Sequence, residues 1–202
     1  VFVVAFIFFA PITDDGTIGE QMIGFIAKGS RVGPDTTNQR INDNEVDVDP
    51  ASLASDAGLD LDTYTLARMI SSEEGNSSNI KQVAVAWVAK NNAQALGSSI
   101  FEYATDGSFG RQTGGIGSRP VSTWEDPYEG HVTIAKGVIA GTFADPTGGA
   151  RHFVAPRTQD KLHAANPDKY KSYADVDASW QSGGSQKIVV DGIDPAILVF
   201  YT

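Results

Sequence analysis

The chain of 202 residues contains no cysteine, and it has only 3 histidines and 2 methionines. Without cysteine there is no disulfide framework, no thiol nucleophile and no thiolate metal site. The histidines, His131, His152 and His163, show no metal-ligand spacing, and no His-Glu-x-x-His occurs. A zinc peptidase is therefore not expected, and neither a metal nor a cofactor is assigned. No Gly-x-Ser-x-Gly elbow supports a serine nucleophile. The run Gly114-Gly115-Ile116-Gly117 lacks the lysine and the strand-to-helix context of a phosphate loop. Basic residues are scarce, with 15 Lys+Arg against 25 Asp+Glu and a net charge of −10. No basic stripe is present, so nucleic acid is not an expected partner. Long hydrophobic runs are also missing. The longest, Val1-Phe2-Val3-Val4-Ala5-Phe6-Ile7-Phe8-Phe9-Ala10, falls short of the roughly 20 residues that a helix needs to span a bilayer.

That run would aggregate if left exposed, so it is expected to be covered by the protein's own core, by a partner subunit or by membrane contact through residues 1–10. Beyond it, 41% hydrophobic and 20% charged residues describe an ordinary soluble globular chain. The acidity is uneven. Residues 1–62 hold eleven acids against Lys28, Arg31 and Arg40, a net of −8, whereas residues 63–202 carry a net of −2. Residues 1–12 read as an apolar anchor or strand. Residues 13–61, rich in Gly, Asp, Asn and Thr without a sustained apolar period, read as an extended acidic linker or arm. The plainer reading is a solvated connector; the other is an arm that orders on a partner, with docking on a larger protein assembly through residues 1–60 as the expectation. Residues 62–202 form the compact domain.

Within that domain a first helix is predicted from a cap near Asp62 to a C′ glycine at Gly75, and a second from about Asn79 to Leu96, stopped by Gly97. A third is predicted from Asp126-Pro127-Tyr128-Glu129, which has the form of a capping box with Pro at N1, through Ala140 to Gly141. Its apolar stripe is Val132, Ala135, Val138 and Ile139. Shorter helices cover Thr158 to Ala165 and Tyr173 to Gln181. Two strand-like runs, Lys187 to Val190 and Ile197 to Tyr201, close the chain and either pair as a hairpin or reach toward Val1 to Phe9. The fold class is α+β, mainly α, with a small C-terminal β element. A Gly-rich loop from Asp106 to Gly117 is of the kind that lines a site. Trp87 and Trp124 offer faces for stacking on sugars, although Trp87, inside an apolar helix face, reads first as core.

Glu73 and Glu74 break a local rule. They sit in the last turn of the first helix, where the macrodipole disfavours carboxylates by roughly 0.3–1 kcal/mol each. At about 100° per residue, Glu73 falls in the apolar stripe with Leu66 and Met69, while Glu74 turns to the flank. A carboxyl desolvated in that position has its pKa raised toward neutrality, as a general acid requires. The plainer reading is a frayed helix end with two solvated glutamates.

The stretch Leu66-Ala67-Arg68-Met69-Ile70-Ser71-Ser72-Glu73, followed by Gln82-Val83-Ala84-Val85-Ala86, resembles the catalytic domain of the spore-cortex-lytic cell wall hydrolases. In that family a Leu-Ala-Arg-like helix ends in the catalytic glutamate, at the same spacing from a Gln-Val-Ala-Val-Ala helix. Further on, Asp145-Pro146-Thr147-Gly148-Gly149-Ala150-Arg151-His152-Phe153-Val154-Ala155-Pro156 is similar to the family's Gly-Gly-Ala-x-x-Phe-x-x-Pro segment. The resemblance covers residues 63–156. The chain departs from the pattern in having Glu74 where the family usually has Ala, Ser77 where it has a further acid, and Ala155 for a common Asn.

The resemblance implies a lysozyme-like fold and cleavage of the β-1,4 bond between N-acetylmuramic acid and N-acetylglucosamine in peptidoglycan. Glu73 would be the catalytic acid, with Asn91, Phe109, Gly149, Ala150, His152 and Phe153 lining the glycan strand. A hydrolase adds a second carboxylate about 5–5.5 Å or 6.5–9.5 Å away. Glu102, Asp106 and Glu125 are the candidates, because adjacent helical residues such as Glu73 and Glu74 point apart. Without one, a lytic transglycosylase remains, in which a single glutamate is acid and then base while the muramyl C6 hydroxyl attacks. The setting implied is extracellular or on a particle, such as a phage tail or contractile injection device that opens the bacterial cell wall. The rival from another class is a structural or peptidoglycan-binding subunit without turnover.

Overall fold

A computed structural model describes residues 49–105 and 124–202. The apolar run 1–12, the linker residues 13–48 and the Gly-rich loop through Gly117 lie outside the described residues. Among those described, the domain is mainly helical, with seven helices and one three-stranded antiparallel sheet near the C-terminus.

Helix α1 (Pro50–Asp56) starts where Asp49 caps the Ala51 N–H and Pro50 takes the first helical position. It lies inside the stretch expected to be linker. Leu53 and Ala54 bury against Tyr64, which gives this short segment a core of its own. Helix α2 (Leu61–Glu74) is capped by Asp60, whose carboxylate accepts from the Thr63 N–H at 2.8 Å and the Thr63 hydroxyl at 2.7 Å. The cap is thus two residues earlier than expected, and Asp62 instead accepts from the Phe101 N–H at 2.9 Å, at the start of α4 (Ile100–Thr105).

Helix α3 (Asn79–Leu96) matches its expected bounds and is the central element. One face, with Val83, Ala86, Ala89 and Ala93, packs into a core shared with Leu66, Met69 and Ile70 of α2, Tyr103 of α4, and Ile134, Ala135 and Val138 of α5 (Glu129–Ala140). The other face, with Ala84, Val85 and Val88, meets Ala150, Phe153, Leu198 and Phe200. A helix buried on two sides carries little amphipathic contrast, and each fully buried Leu, Ile or Met contributes about 1.5–3 kcal/mol.

Helix α5 begins later than its capping pattern suggested. Its N-cap is Tyr128, and Asp126 is instead withdrawn into the interior, where Arg68 holds it. The strands β1 (His152–Val154), β2 (Lys187–Ile188) and β3 (Val199–Tyr201) pair antiparallel in the order β1-β3-β2. The expected hairpin of the last two runs is present, and β1 is an addition to it. Side chains alternate across this sheet. Phe153 and Phe200 point to α3, whereas Val154, Val199 and Tyr201 point to Val176 and Trp180 of α7 (Tyr173–Ser182). Helix α6 (Pro156–Ala165) joins β1 to α7. No described helix is long and apolar enough to cross a membrane.

Candidate active site

The C-terminal turn of α2 is held from three sides. Arg68, one helical turn or more before that end, is wholly buried. Its Nη1 donates to Asp126 Oδ1 at 2.8 Å and to the Tyr64 hydroxyl at 2.5 Å, and its Nη2 donates to the Trp124 carbonyl. Burial holds the Tyr64 phenol above its ordinary 10.0, against the opposing influence of Arg68, so it accepts as a neutral group. Ser71 Oγ donates to the Asp126 carbonyl at 3.1 Å, and Ser72 Oγ accepts from the Glu125 N–H at 2.8 Å. Residues 124–126 therefore run beside the last turns of α2. Trp124 is completely buried in the process, which removes it as a face for sugar stacking.

Glu73 is partly exposed, with its Oε2 shielded from solvent. Glu74, expected on the flank, is the deeper of the two at 5% exposure. The expectation assumed a helix with one apolar stripe and one wet face. In fact Thr63 through Ser71 are all buried, so the phase of the apolar residues carries no information about which side is open. The Glu74 carboxylate accepts from Ser77 Oγ.

Gly75 ends the helix in right-handed geometry, at φ −57° and ψ −26°, not in the left-handed cap expected of it. It must be glycine for another reason: a Cβ there would lie 2.3 Å from the Ser71 carbonyl oxygen. The last carbonyls of α2 are taken by side chains from other helices. Gln82 Nε2 donates to the Glu74 carbonyl at 2.9 Å, and His131 Nε2 lies 3.3 Å from the Gly75 carbonyl.

The expected second carboxylates separate. Glu102 Oε2 accepts from the Ser99 N–H at 2.7 Å, and Ser99 Oγ accepts from the Glu102 N–H at 3.1 Å, a reciprocal cap of α4. Its neighbour Phe101 is bonded to Asp62 at the opposite end of α2. At about 1.5 Å per residue that end is roughly 16 Å from Glu73, beyond either glycosidase spacing. Glu125 is exposed and lies beside the Glu73 end through its bond to Ser72. Asp106 and Phe109 lie outside the described residues.

The expected glycan-lining residues form two groups away from this turn. Asn91 Nδ2 donates to Asp145 Oδ2 at 3.1 Å and to the Ala150 carbonyl at 3.0 Å. Asp145 also accepts from the Gly149 N–H at 2.8 Å and from the Thr147 N–H and hydroxyl at 2.8 and 2.6 Å. Gly148 and Gly149 have φ of 59° and 90°, which a side chain would strain. The Gly-Gly-Ala segment is thus a turn stapled to α3, with Ala150 fully buried. It sits more than two turns along α3 from Gln82, roughly 14 Å from the α2 end at about 1.5 Å per residue. Phe153 is in the core. His152 projects to the α7 side of the sheet, 5.5 Å from the Trp180 ring. Loss of solvent around the imidazole and the neighbouring Arg151 cation hold it below its ordinary 6.5, so it is neutral at physiological pH.

Asn91, Gly149 and Ala150 therefore meet in one hydrogen-bonded turn, and the residues packed around the end of α2 are Arg68 and Gln82, which lie within the two motifs, and Asp126 and His131, to which sequence reasoning gave no role at this site. An arginine and an aspartate on interior elements were the available signals for the pairing of Arg68 with Asp126. No group of three or more His, Cys, Asp or Glu side chains able to hold a metal occurs among the described residues. Comparison of the chain with protein-family models, with curated proteins and with solved structures finds no match.

Proposed function

We propose that the chain is a peptidoglycan-cleaving glycosidase of lysozyme-like type, with Glu73 as general acid and base. The observation that carries this reading is the pairing of α2 with α3. The helix bearing the Leu-Ala-Arg motif ends at Glu74, one residue past Glu73, and Gln82, the first residue of the Gln-Val-Ala-Val-Ala motif, donates its side-chain amide to the Glu74 carbonyl at 2.9 Å. The partial exposure of Glu73 at that end supports the acid role, because its carboxyl can be reached by a substrate.

The lytic transglycosylase route suits this arrangement best. Glu73 gives its proton to the glycosidic oxygen as the bond to muramyl C1 breaks. The resulting carboxylate then takes the proton of the C6 hydroxyl while O6 bonds to C1, leaving a 1,6-anhydro end and a restored Glu73. No water-activating carboxylate is consumed. Glu125, exposed and adjacent, is the residue that would convert the site to a hydrolase. The apolar start and acidic arm support action from within a wall-penetrating particle such as a phage tail. Elution of the whole chain as a stable, soluble monomer would count against that setting.

Mass spectrometry of fragments released from purified peptidoglycan by the native chain and by Glu73→Gln tests the chemistry. Anhydro-muramyl products, lost in the variant, are the expected result. Reducing-end products point to Glu125 and hydrolysis, and an absence of products from the native chain rejects the enzyme reading.

A further inference from the structure

We propose that His131 is a positioning residue that sets the direction of the last turn of α2 and so aims the Glu73 carboxyl; this rests on the function proposed above. The imidazole is 2% exposed and lies between two helix ends. At the start of α5, its Nδ1 accepts from the Tyr128 N–H at 3.2 Å, the role usually given to a Glu or Gln at this place in a capping box. That bond assigns the lone pair to Nδ1 and the proton to Nε2. The Nε2–H then donates to the Gly75 carbonyl, 3.3 Å away at the end of α2. A single neutral ring thereby satisfies an orphan donor of one helix and an orphan acceptor of another.

Gln82 completes the device. Its Nε2 donates to the carbonyls of Glu74 at 2.9 Å and Ser77 at 3.3 Å, and it lies 3.4 Å from His131 Nε2. Both nitrogens carry protons, so the two are parallel donors to successive carbonyls and not partners of each other. Helix α2 has no left-handed glycine cap to close it, and these two side chains replace one. Glu73 stands two residues before Gly75, so its Cα follows wherever this turn is held. Loosening of such a turn by about 1 Å is sufficient to cost about a hundredfold in rate.

Two substitutions in the full chain separate positioning from packing. His131→Phe keeps a flat ring and removes both hydrogen bonds, while His131→Gln keeps an N–H able to reach the Gly75 carbonyl. On soluble glycan fragments of peptidoglycan, His131→Phe should lower kcat by about tenfold or more with KM changed less than about twofold, and His131→Gln should restore most of kcat. Equal losses in both variants, in step with melting temperature, or an unchanged kcat in His131→Phe, overturn the proposal. Nitrogen-15 NMR of the native ring decides independently of any variant's folding: an Nε2–H tautomer is expected, and an Nδ1–H tautomer overturns it. If the native chain cleaves nothing, the enzyme reading fails on its own. Amide exchange of residues 73–77 in His131→Phe then still decides whether the ring holds this turn, with faster exchange expected and unchanged exchange overturning it.

Discussion

Arg68 and Asp126, 58 positions apart in the chain, meet at 2.8 Å with side chains 0% and 2% exposed. Removing one member leaves the other as a buried, uncompensated charge. Asp126→Ala should therefore lose about 3–5 kcal/mol in urea unfolding. The double change to apolar residues of similar volume should lose distinctly less, because it removes the desolvation cost together with the bond.

The two neighbouring glutamates should respond in opposite ways. Glu73→Gln is expected to cut turnover by about 10²–10⁴-fold with little change in melting temperature. Glu74→Ala removes the acceptor of Ser77 Oγ in a buried position and should cost about 1–3 kcal/mol of stability. Thermal melts and kcat measured on the same preparations distinguish these outcomes.

Gly75→Ala places a methyl group 2.3 Å from the Ser71 carbonyl oxygen, so the backbone must move. The expected stability loss is about 1–3 kcal/mol, typical of overpacking. Because the displaced turn carries Glu73, kcat should fall further than stability alone explains, and comparison of the two well below the melting temperature checks this.

Asp145 gives a pH-dependent expectation. Burial raises its pKa, but bonds from Thr147, Asn91 and Gly149 outweigh burial and hold it below the ordinary 3.8. A depressed carboxylate stabilises the fold above the unfolded value and loses that contribution as pH falls through the folded one. Asp145→Asn should thus be less stable than the native chain by about 1 kcal/mol at neutral pH, allowing for screening at this half-exposed site. The gap should narrow below pH 3.8, which denaturant titrations at both pH values would reveal.

Where local pattern and tertiary contact agreed, the sequence was readable. Helix α3 has apolar residues on both faces and a terminal Gly97, so its bounds did not depend on its neighbours. The contact of Gln82 with the end of α2 follows from two helices joined by a short turn. The N-terminus of α5 was misjudged because Asp126 satisfies a capping pattern locally, yet its partner, Arg68, is far away in sequence. The depth of Glu74 was hidden because α2 is enclosed almost all round, leaving no polar face to set the phase. Strand β1 spans three residues, too few for alternation to register. The two functions of His131 depend on where α5 crosses the end of α2, which no single segment encodes.

Helix α5 is fastened at both ends. His131 ties its beginning to α2, and Lys90 of α3 donates to its final carbonyls, those of Val138 at 2.7 Å and Ile139 at 3.2 Å. A helix anchored this way cannot fray from either terminus without first breaking a contact with another helix. Its amides should therefore exchange with solvent only when α2, α3 and α5 open together, so that the three helices unfold as one cooperative unit and the turn that carries Glu73 shares the lifetime of the whole core.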